Sequence, residues 1–90
     1  MKAKRSRTIT IVNDLGLHAR SAAKLAKLAE TANGSVWITK NGHTADAASM
    51  LDILTLACPK GSAVTVSIED EADIKILERI AALIRSGFGE

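Results

Sequence analysis

Two side chains suited to phosphate chemistry stand close together in the segment LGLHARSAAKLAKLAE (residues 15–30), where an amphipathic helix is predicted to begin. Imidazole is the side chain whose charge changes nearest neutral pH, so His18 can act as a nucleophile, a base or a phosphoryl acceptor. The first turn of a helix carries unpaired N–H groups and the positive end of the dipole, which favour an anion. The guanidinium of Arg20 adds donors that match phosphate oxygens, and Gly16 permits a close backbone approach. This spacing predicts a site for a phosphoryl group carried on His18.

The sequence around His18 limits what such a site can do. It contains no second carboxylate, nucleophilic triad, glycine-rich phosphate loop or metal-binding cluster, so no metal and no cofactor is expected. His43 is predicted to face solvent from a strand, away from His18. The site could hold and pass on a phosphoryl group, but it has little with which to turn over a small substrate. On the residues alone, the alternative of a polar residue at a helix end without chemistry stays open.

Length and composition predict one globular domain over residues 1–90. Hydrophobic residues make up 47% of the chain and aromatic residues 2%, so the core must consist of Ile, Val, Leu and Ala. The single cysteine, Cys58, excludes an internal disulfide and disfavours a cysteine-based metal site. No signal peptide or membrane-spanning run is recognised, so a cytoplasmic protein without membrane insertion is expected.

Positive charge is concentrated in a basic segment over residues 1–7, which holds Lys2, Lys4, Arg5 and Arg7. The chain has 12 basic and 10 acidic side chains, so eight basic ones remain against the ten acidic ones without these four. Such a tail could contact nucleic acid or membrane phosphate, but a solvated, flexible terminus is the preferred interpretation. Nucleic-acid binding is also disfavoured because single-strand readers need aromatic stacking platforms.

Alternating, β-branched runs predict four strands. RTITIV (residues 7–12) and SAVTVSI (residues 62–68) each read as one strand. In SVWITKNGHTAD (residues 35–46) two further strands flank Asn41-Gly42, the preferred pair for a two-residue hairpin turn.

Helical periodicity predicts three helices. The first covers residues 19–32 and is closed by Asn33-Gly34 in the left-handed conformation. A short second helix covers residues 49–57, with Ser49 as N-cap and Asp52 completing a capping-box-like pattern. The third begins at Asp70 and is stopped by Gly87. The order β-α-β-β-α-β-α implies an α+β fold, a two-layer open-faced sandwich with a four-stranded antiparallel sheet and three helices on one face.

The run GLHARS, the amphipathic helix after it, the NG turn and ASMLDILTLACPKGS together resemble the histidine-containing phosphocarrier (HPr) family, which includes the nitrogen-branch form NPr. This family belongs to the phosphoenolpyruvate-dependent phosphotransferase system. The resemblance extends from about Thr8 to the SGFGE stretch. It implies the same fold and a monomeric carrier, not an enzyme, acting in sugar uptake or in nitrogen-branch regulation.

The resemblance also implies roles for individual residues. His18 would receive the phosphoryl group from phospho-enzyme I and pass it to an EIIA-type protein, while Arg20 steadies it. Ser49 occupies the place of the family's regulatory serine, which would add an HPr kinase to the partners. Acidic partners would dock on a basic and apolar face. That face consists of Lys24, Lys27, Met50, Leu51 and Leu54.

Two positions depart from the family pattern. Ser21 stands where the family usually has proline, and serine frees an N–H group but is expected to loosen the first helical turn. Ala48 precedes Ser49, where the kinase-regulated type usually has lysine, so a plain N-cap serine is an equal alternative to a regulatory one. Two other functions also stay open: an HPr-like protein that only binds and regulates partners, and a small nucleic-acid-binding domain.

Overall fold

The computed structural model describes residues 5–90. Its strands and helices follow in the order β1 (Arg5–Thr10), α1 (Ala19–Ala29), β2 (Val36–Lys40), β3 (His43–Asp46), α2 (Met50–Leu54), β4 (Ala63–Ile68) and α3 (Ile74–Arg85). The strands form one antiparallel sheet in the order β1-β4-β2-β3. The predicted four-stranded sheet with three helices is confirmed.

The sheet is amphipathic because its strands alternate between apolar and hydroxyl side chains. On the helix side, Ile9 pairs with Val64 and Ile38 with Val66, and all four are buried. Short 3₁₀ turns at Glu71–Asp73 and Gly87–Gly89 precede and follow α3. The second turn places Phe88 in the core, with 1% of its surface exposed.

Strand β1 begins two residues earlier than predicted, so part of the basic segment belongs to the sheet. Arg5 and Arg7 form surface ion pairs with Glu71 and Glu78, both at 3.0 Å. The remainder of that segment, Met1–Lys4, lies outside the described residues.

The hairpin turn is confirmed: Asn41 and Gly42 have φ angles of +49° and +81°, as a type I′ turn requires. The predicted end of α1 was wrong. The helix ends at Ala29, and neither Asn33 nor Gly34 is left-handed. Instead, the buried carboxylate of Asp73 accepts both of their N–H groups at 2.8 Å.

Helix α2 ends at Leu54, before the predicted end. The N–H groups of residues 55–57 bond to carbonyls three positions earlier, and Ala57 then has a left-handed φ of +50°. Ser49 is its N-cap and accepts the N–H of Asp52 at 3.2 Å. The expected reciprocal bond is absent from the described contacts, since the Asp52 carboxylate accepts the N–H of Asp46 at 2.7 Å instead. No helix within residues 5–90 is long and apolar enough to span a membrane.

Candidate functional site

His18 is the N-cap of α1, with an extended backbone at φ −121° and ψ −177°. Its Nδ1 accepts the backbone N–H of Arg20 at 3.3 Å. The carbonyl of His18 already accepts the N–H of Ala22, so the N–H groups of residues 19–21 have no carbonyl partner inside the helix. The side chain is 26% exposed. Through its bond from the Arg20 N–H, Nδ1 lies at the positively polarised start of the helix.

The other ring nitrogen of His18 faces a carboxylate. Nε2 lies 2.5 Å from Oε2 of Glu90. Because Nδ1 accepts an N–H bond, the neutral ring must carry its proton on Nε2, which donates it to Glu90. Hydrogen bonds from Asn13 and His18 hold the pKa of Glu90 below its usual range, so this carboxylate stays ionised at neutral pH.

Asn13 and Glu90 are site residues that sequence reasoning missed. The Nδ2 group of Asn13 donates to Oε1 of Glu90 at 2.9 Å and to the carbonyl of Gly16 at 2.8 Å. His18 and Glu90 are 72 positions apart in the sequence. No local periodicity connects such distant residues, and only the packed fold brings them together.

Ser21 corrects an expectation, because its hydroxyl tightens the helix start where loosening was predicted. The side chain is fully buried. Its Oγ accepts the N–H of His18 at 3.0 Å and lies 3.1 Å from the carbonyl of Gly16, to which it can donate. The serine therefore bridges the helix to the segment that precedes it, a bracing that proline could not provide.

We expect Ser21→Ala to lower the free energy of unfolding by about 1–3 kcal/mol, because it leaves the His18 N–H and the Gly16 carbonyl without this partner. Urea denaturation measures the loss. Ser86→Ala is the matched control, since Ser86 is exposed and its Oγ makes one bond, to the carbonyl of Leu83. Equal losses in the two variants would contradict the bracing role.

The segment before His18 packs closely against the loop that follows α2. Gly16 has a φ of +67°, and a Cβ built there would lie 2.3 Å from the carbonyl oxygen of Cys58. The same carbonyl accepts the N–H of Leu17 at 2.8 Å. The backbone of this loop therefore fixes the position of the segment that leads into His18.

The cationic residues of the candidate site lie on the exposed face of α1. Arg20 is exposed, and its positive charge helps to lower the pKa of Glu90. Lys27 is exposed as well. Lys24 donates from Nζ to the carbonyl of Phe88 at 2.7 Å, which fastens the turn carrying Glu90 to α1.

Apolar side chains are exposed on the segments beside the site. In α2, which packs against α1, Leu51 is 73% exposed, Met50 is 36% exposed and Leu54 is half-buried. Leu15, 68% exposed, stands one residue before Gly16. Leu15 is not among the docking residues predicted from the sequence, although a large apolar residue just before Gly16 could have pointed to a contact surface.

The remaining candidates lie in other environments. Ser49 is the N-cap of α2, as predicted, and whether it is also a regulatory phosphorylation site stays a prediction. Cys58 is buried, and burial raises the pKa of its thiol. His43 is exposed on β3. Within the described residues, no group of three or more His, Cys, Asp or Glu side chains is placed to hold a metal ion.

Comparisons with known proteins show relatives of the same family and fold. A family model described as the PTS HPr component phosphorylation site matches residues 5–86. The phosphocarrier protein HPr of Cupriavidus necator is 39% identical over 84 residues, which cover 93% of this chain and 94% of that protein. The phosphocarrier protein NPr of Shewanella violacea is 38% identical, over 97% of this chain and 96% of that protein. A crystal structure of HPr from Thermoanaerobacter tengcongensis superposes with a TM-score of 0.90 at 32% identity, covering 96% of this chain and 97% of the other.

Proposed function

The chain belongs to the HPr family of phosphocarrier proteins of the phosphotransferase system, and from that membership we propose that it carries a phosphoryl group on Nδ1 of His18. The observation that supports this most directly is the pair of hydrogen bonds on the imidazole. Nδ1 faces the start of α1 with its lone pair, and Nε2 keeps its proton against Glu90. The unprotonated nitrogen is thus the one at the anion-favouring helix start.

The proposed transfer forms one bond and breaks one bond, and the imidazole loses no proton. Nδ1 releases the hydrogen bond from the Arg20 N–H, and its lone pair attacks phosphorus to form the Nδ1–P bond. The bond between phosphorus and the donor breaks, with its electron pair returning to the donor. The imidazole then carries a positive charge, because Nε2 is still protonated. The Glu90 carboxylate beside Nε2 balances that charge. Transfer to an acceptor reverses these changes.

The phosphoryl oxygens would be held by the start of α1. The N–H groups of Ala19, Arg20 and Ser21 have no carbonyl partner within the helix, and they are the donors nearest to Nδ1 along the chain. The guanidinium of Arg20 is free to swing onto these oxygens because it lies at the surface. We assign Arg20 to steadying the transferred group.

The partners we propose are phospho-enzyme I as donor and EIIA-type proteins as acceptors. The docking face consists of Lys24, Lys27, Met50, Leu51 and Leu54, extended by Leu15. Exposed apolar side chains beside exposed cations suit brief contacts with acidic proteins, because charge speeds encounter and a small interface releases the partner. Relatives named HPr and NPr match this chain almost equally well, at 39% and 38% identity. The acceptor assay below therefore decides between the sugar branch and the nitrogen branch.

We propose a carrier and not an enzyme, because the site can hold one phosphoryl group but has no second group to activate another substrate. Kinase regulation at Ser49 belongs to the same proposal. There an added phosphate would sit at the start of α2, close in sequence to the carboxylates of Asp46 and Asp52. No observation favours a purely regulatory binding role or nucleic-acid binding.

The test is phosphorylation of the full chain. The protein is incubated with phosphoenolpyruvate and enzyme I from its own source, and intact mass is followed before and after acid treatment. We expect one acid-labile, base-stable phosphate that is lost when sugar-branch or nitrogen-branch EIIA is added. ¹⁵N NMR of labelled histidine then assigns the phosphate to Nδ1 or Nε2. No label, or a phosphate on Nε2, would overturn the proposal.

We expect Arg20→Ala to remain phosphorylatable but to accept the group roughly 10–100-fold more slowly, since charge-assisted bonds to the phosphoryl oxygens are lost. Rapid-quench measurement of transfer from phospho-enzyme I gives the rate. Arg85→Ala, an exposed arginine in the last turn of α3, is the matched control and should transfer normally. An unchanged rate for Arg20→Ala would remove Arg20 from the site.

A further inference from the structure

The side chain of Asn13 is buried in a position that serves its amide nitrogen and not its oxygen. Its residue surface is 6% exposed. Nδ2 donates two hydrogen bonds, to the Gly16 carbonyl and to Oε1 of Glu90. Oδ1 is buried without a hydrogen-bond partner among residues 5–90. A buried acceptor left unpaired is rare in folded proteins and calls for a reason.

The orientation of this amide is fixed by its neighbours. Rotating it by half a turn would place Oδ1 against the Gly16 carbonyl and the ionised Glu90 carboxylate, which offer no proton. The observed orientation therefore leaves Oδ1 unpaired so that both bonds from Nδ2 can form. Of these two bonds, one closes the turn before His18 and the other reaches the carboxylate that touches Nε2.

We propose that Asn13 is a positioning residue, which holds the Glu90 carboxylate against Nε2 of His18 and so keeps Nδ1 unprotonated and nucleophilic. The inference rests on the proposed phosphocarrier function. Asn13 makes no contact with the transferred group and acts only through Glu90.

The surrounding contacts show why the Glu90 carboxylate needs the hydrogen bond from Asn13. The backbone of the Gly87–Gly89 turn is fixed by the buried Phe88 ring and by the bond from Lys24 to the Phe88 carbonyl. The Glu90 side chain extends beyond this turn, and its Oε2 is bound to His18. Asn13 binds the second oxygen, Oε1. Two anchored oxygens hold the carboxylate in one orientation, whereas one would leave it free to rotate away from the ring.

The first test measures which ring nitrogen of His18 carries the proton, and it needs no phosphoryl donor. The protein, ¹⁵N-labelled at histidine, is studied by long-range ¹H–¹⁵N correlation at a pH where both histidines are neutral, with exposed His43 as the internal reference. In the wild type we expect His18 to be one fixed tautomer, protonated on Nε2, in contrast to the mixture at His43. In Asn13→Ala we expect the His18 tautomer ratio to move part of the way towards that of His43, because the Arg20 N–H bond to Nδ1 still favours the form protonated on Nε2. Asn33→Ala, the same change at an exposed asparagine, should leave His18 unaltered.

A double-mutant cycle separates positioning from a structural role of the turn. If Asn13 acts through Glu90, adding Asn13→Ala to Glu90→Ala causes no further change at His18. Transfer from phospho-enzyme I should slow about tenfold in Asn13→Ala with KM unchanged, because the docking face is intact. A wild-type tautomer ratio in folded Asn13→Ala would overturn the inference. The inference would also be overturned if adding Asn13→Ala to Glu90→Ala changed the His18 tautomer ratio further. Failure of the phosphocarrier proposal would instead appear as a missing phosphate in the wild type.

Discussion

Replacing His18 with alanine is expected to abolish phosphoryl transfer through this protein completely. The variant lacks the only nitrogen that the structure presents, unprotonated, at the start of α1, and neither Arg20 nor the N–H groups around it can form a covalent bond to phosphorus. Intact mass after incubation with phosphoenolpyruvate and enzyme I should show no labile phosphate. The variant should fold, because losing an N-cap side chain costs only about 1 kcal/mol.

His43→Ala is the matched control, since it removes the other histidine from an exposed position on β3. It should carry as much phosphate as the wild type and pass it on at the same rate. Circular dichroism and urea denaturation confirm that both variants are folded. An acid-labile label that persists in His18→Ala would place the phosphoryl group elsewhere and defeat the assignment.

The second large effect is expected from Gly16→Ala, which should lower the free energy of unfolding by about 3 kcal/mol. The new Cβ would meet the Cys58 carbonyl at 2.3 Å and the Cα of Pro59 at 2.9 Å, and neither backbone can move aside cheaply. The segment carrying His18 must lift away from the loop instead. A displacement of about 1 Å is enough to slow transfer on the order of 100-fold.

Gly61→Ala isolates the cause, because Gly61 also has a positive φ, +94°, but open space around it. It should show only the cost of a left-handed alanine, about 1–2 kcal/mol, and normal transfer. Urea denaturation and rapid-quench transfer are measured on both variants. If both lose the same stability and the same activity, the contact with Cys58 does not position His18.

The sequence was sufficient for the order of elements and for the chemistry of one helix start, because both are encoded locally. Alternation of apolar residues marks a strand, the Asn41-Gly42 pair marks a hairpin, and His18 with Arg20 stands within one helical turn. The family resemblance then turned a plausible anion site into an expected phosphohistidine.

The remainder depends on contacts between distant segments. The partners of His18 and Gly16 come from residues 72 and 42 positions away, Glu90 and Cys58, and no periodicity signals them. Ser21 was misjudged because propensity describes a serine in an isolated helix, whereas this hydroxyl is buried against the preceding backbone. The end of α1 was misjudged for a similar reason: Asp73, from the other side of the fold, holds the N–H groups of Asn33 and Gly34.

The contact between His18 and Glu90 also has a consequence for folding. Joining these residues closes a loop that spans nearly the whole chain, and such a closure forms only when α3 has docked on β1 and β4. A partly folded or locally frayed molecule with a helical α1 still lacks the Glu90 carboxylate beside His18. Competence to carry phosphate is therefore tied to completion of the tertiary structure, and hydrogen exchange at Glu90 and in α3 should follow the loss of transfer activity as denaturant is raised.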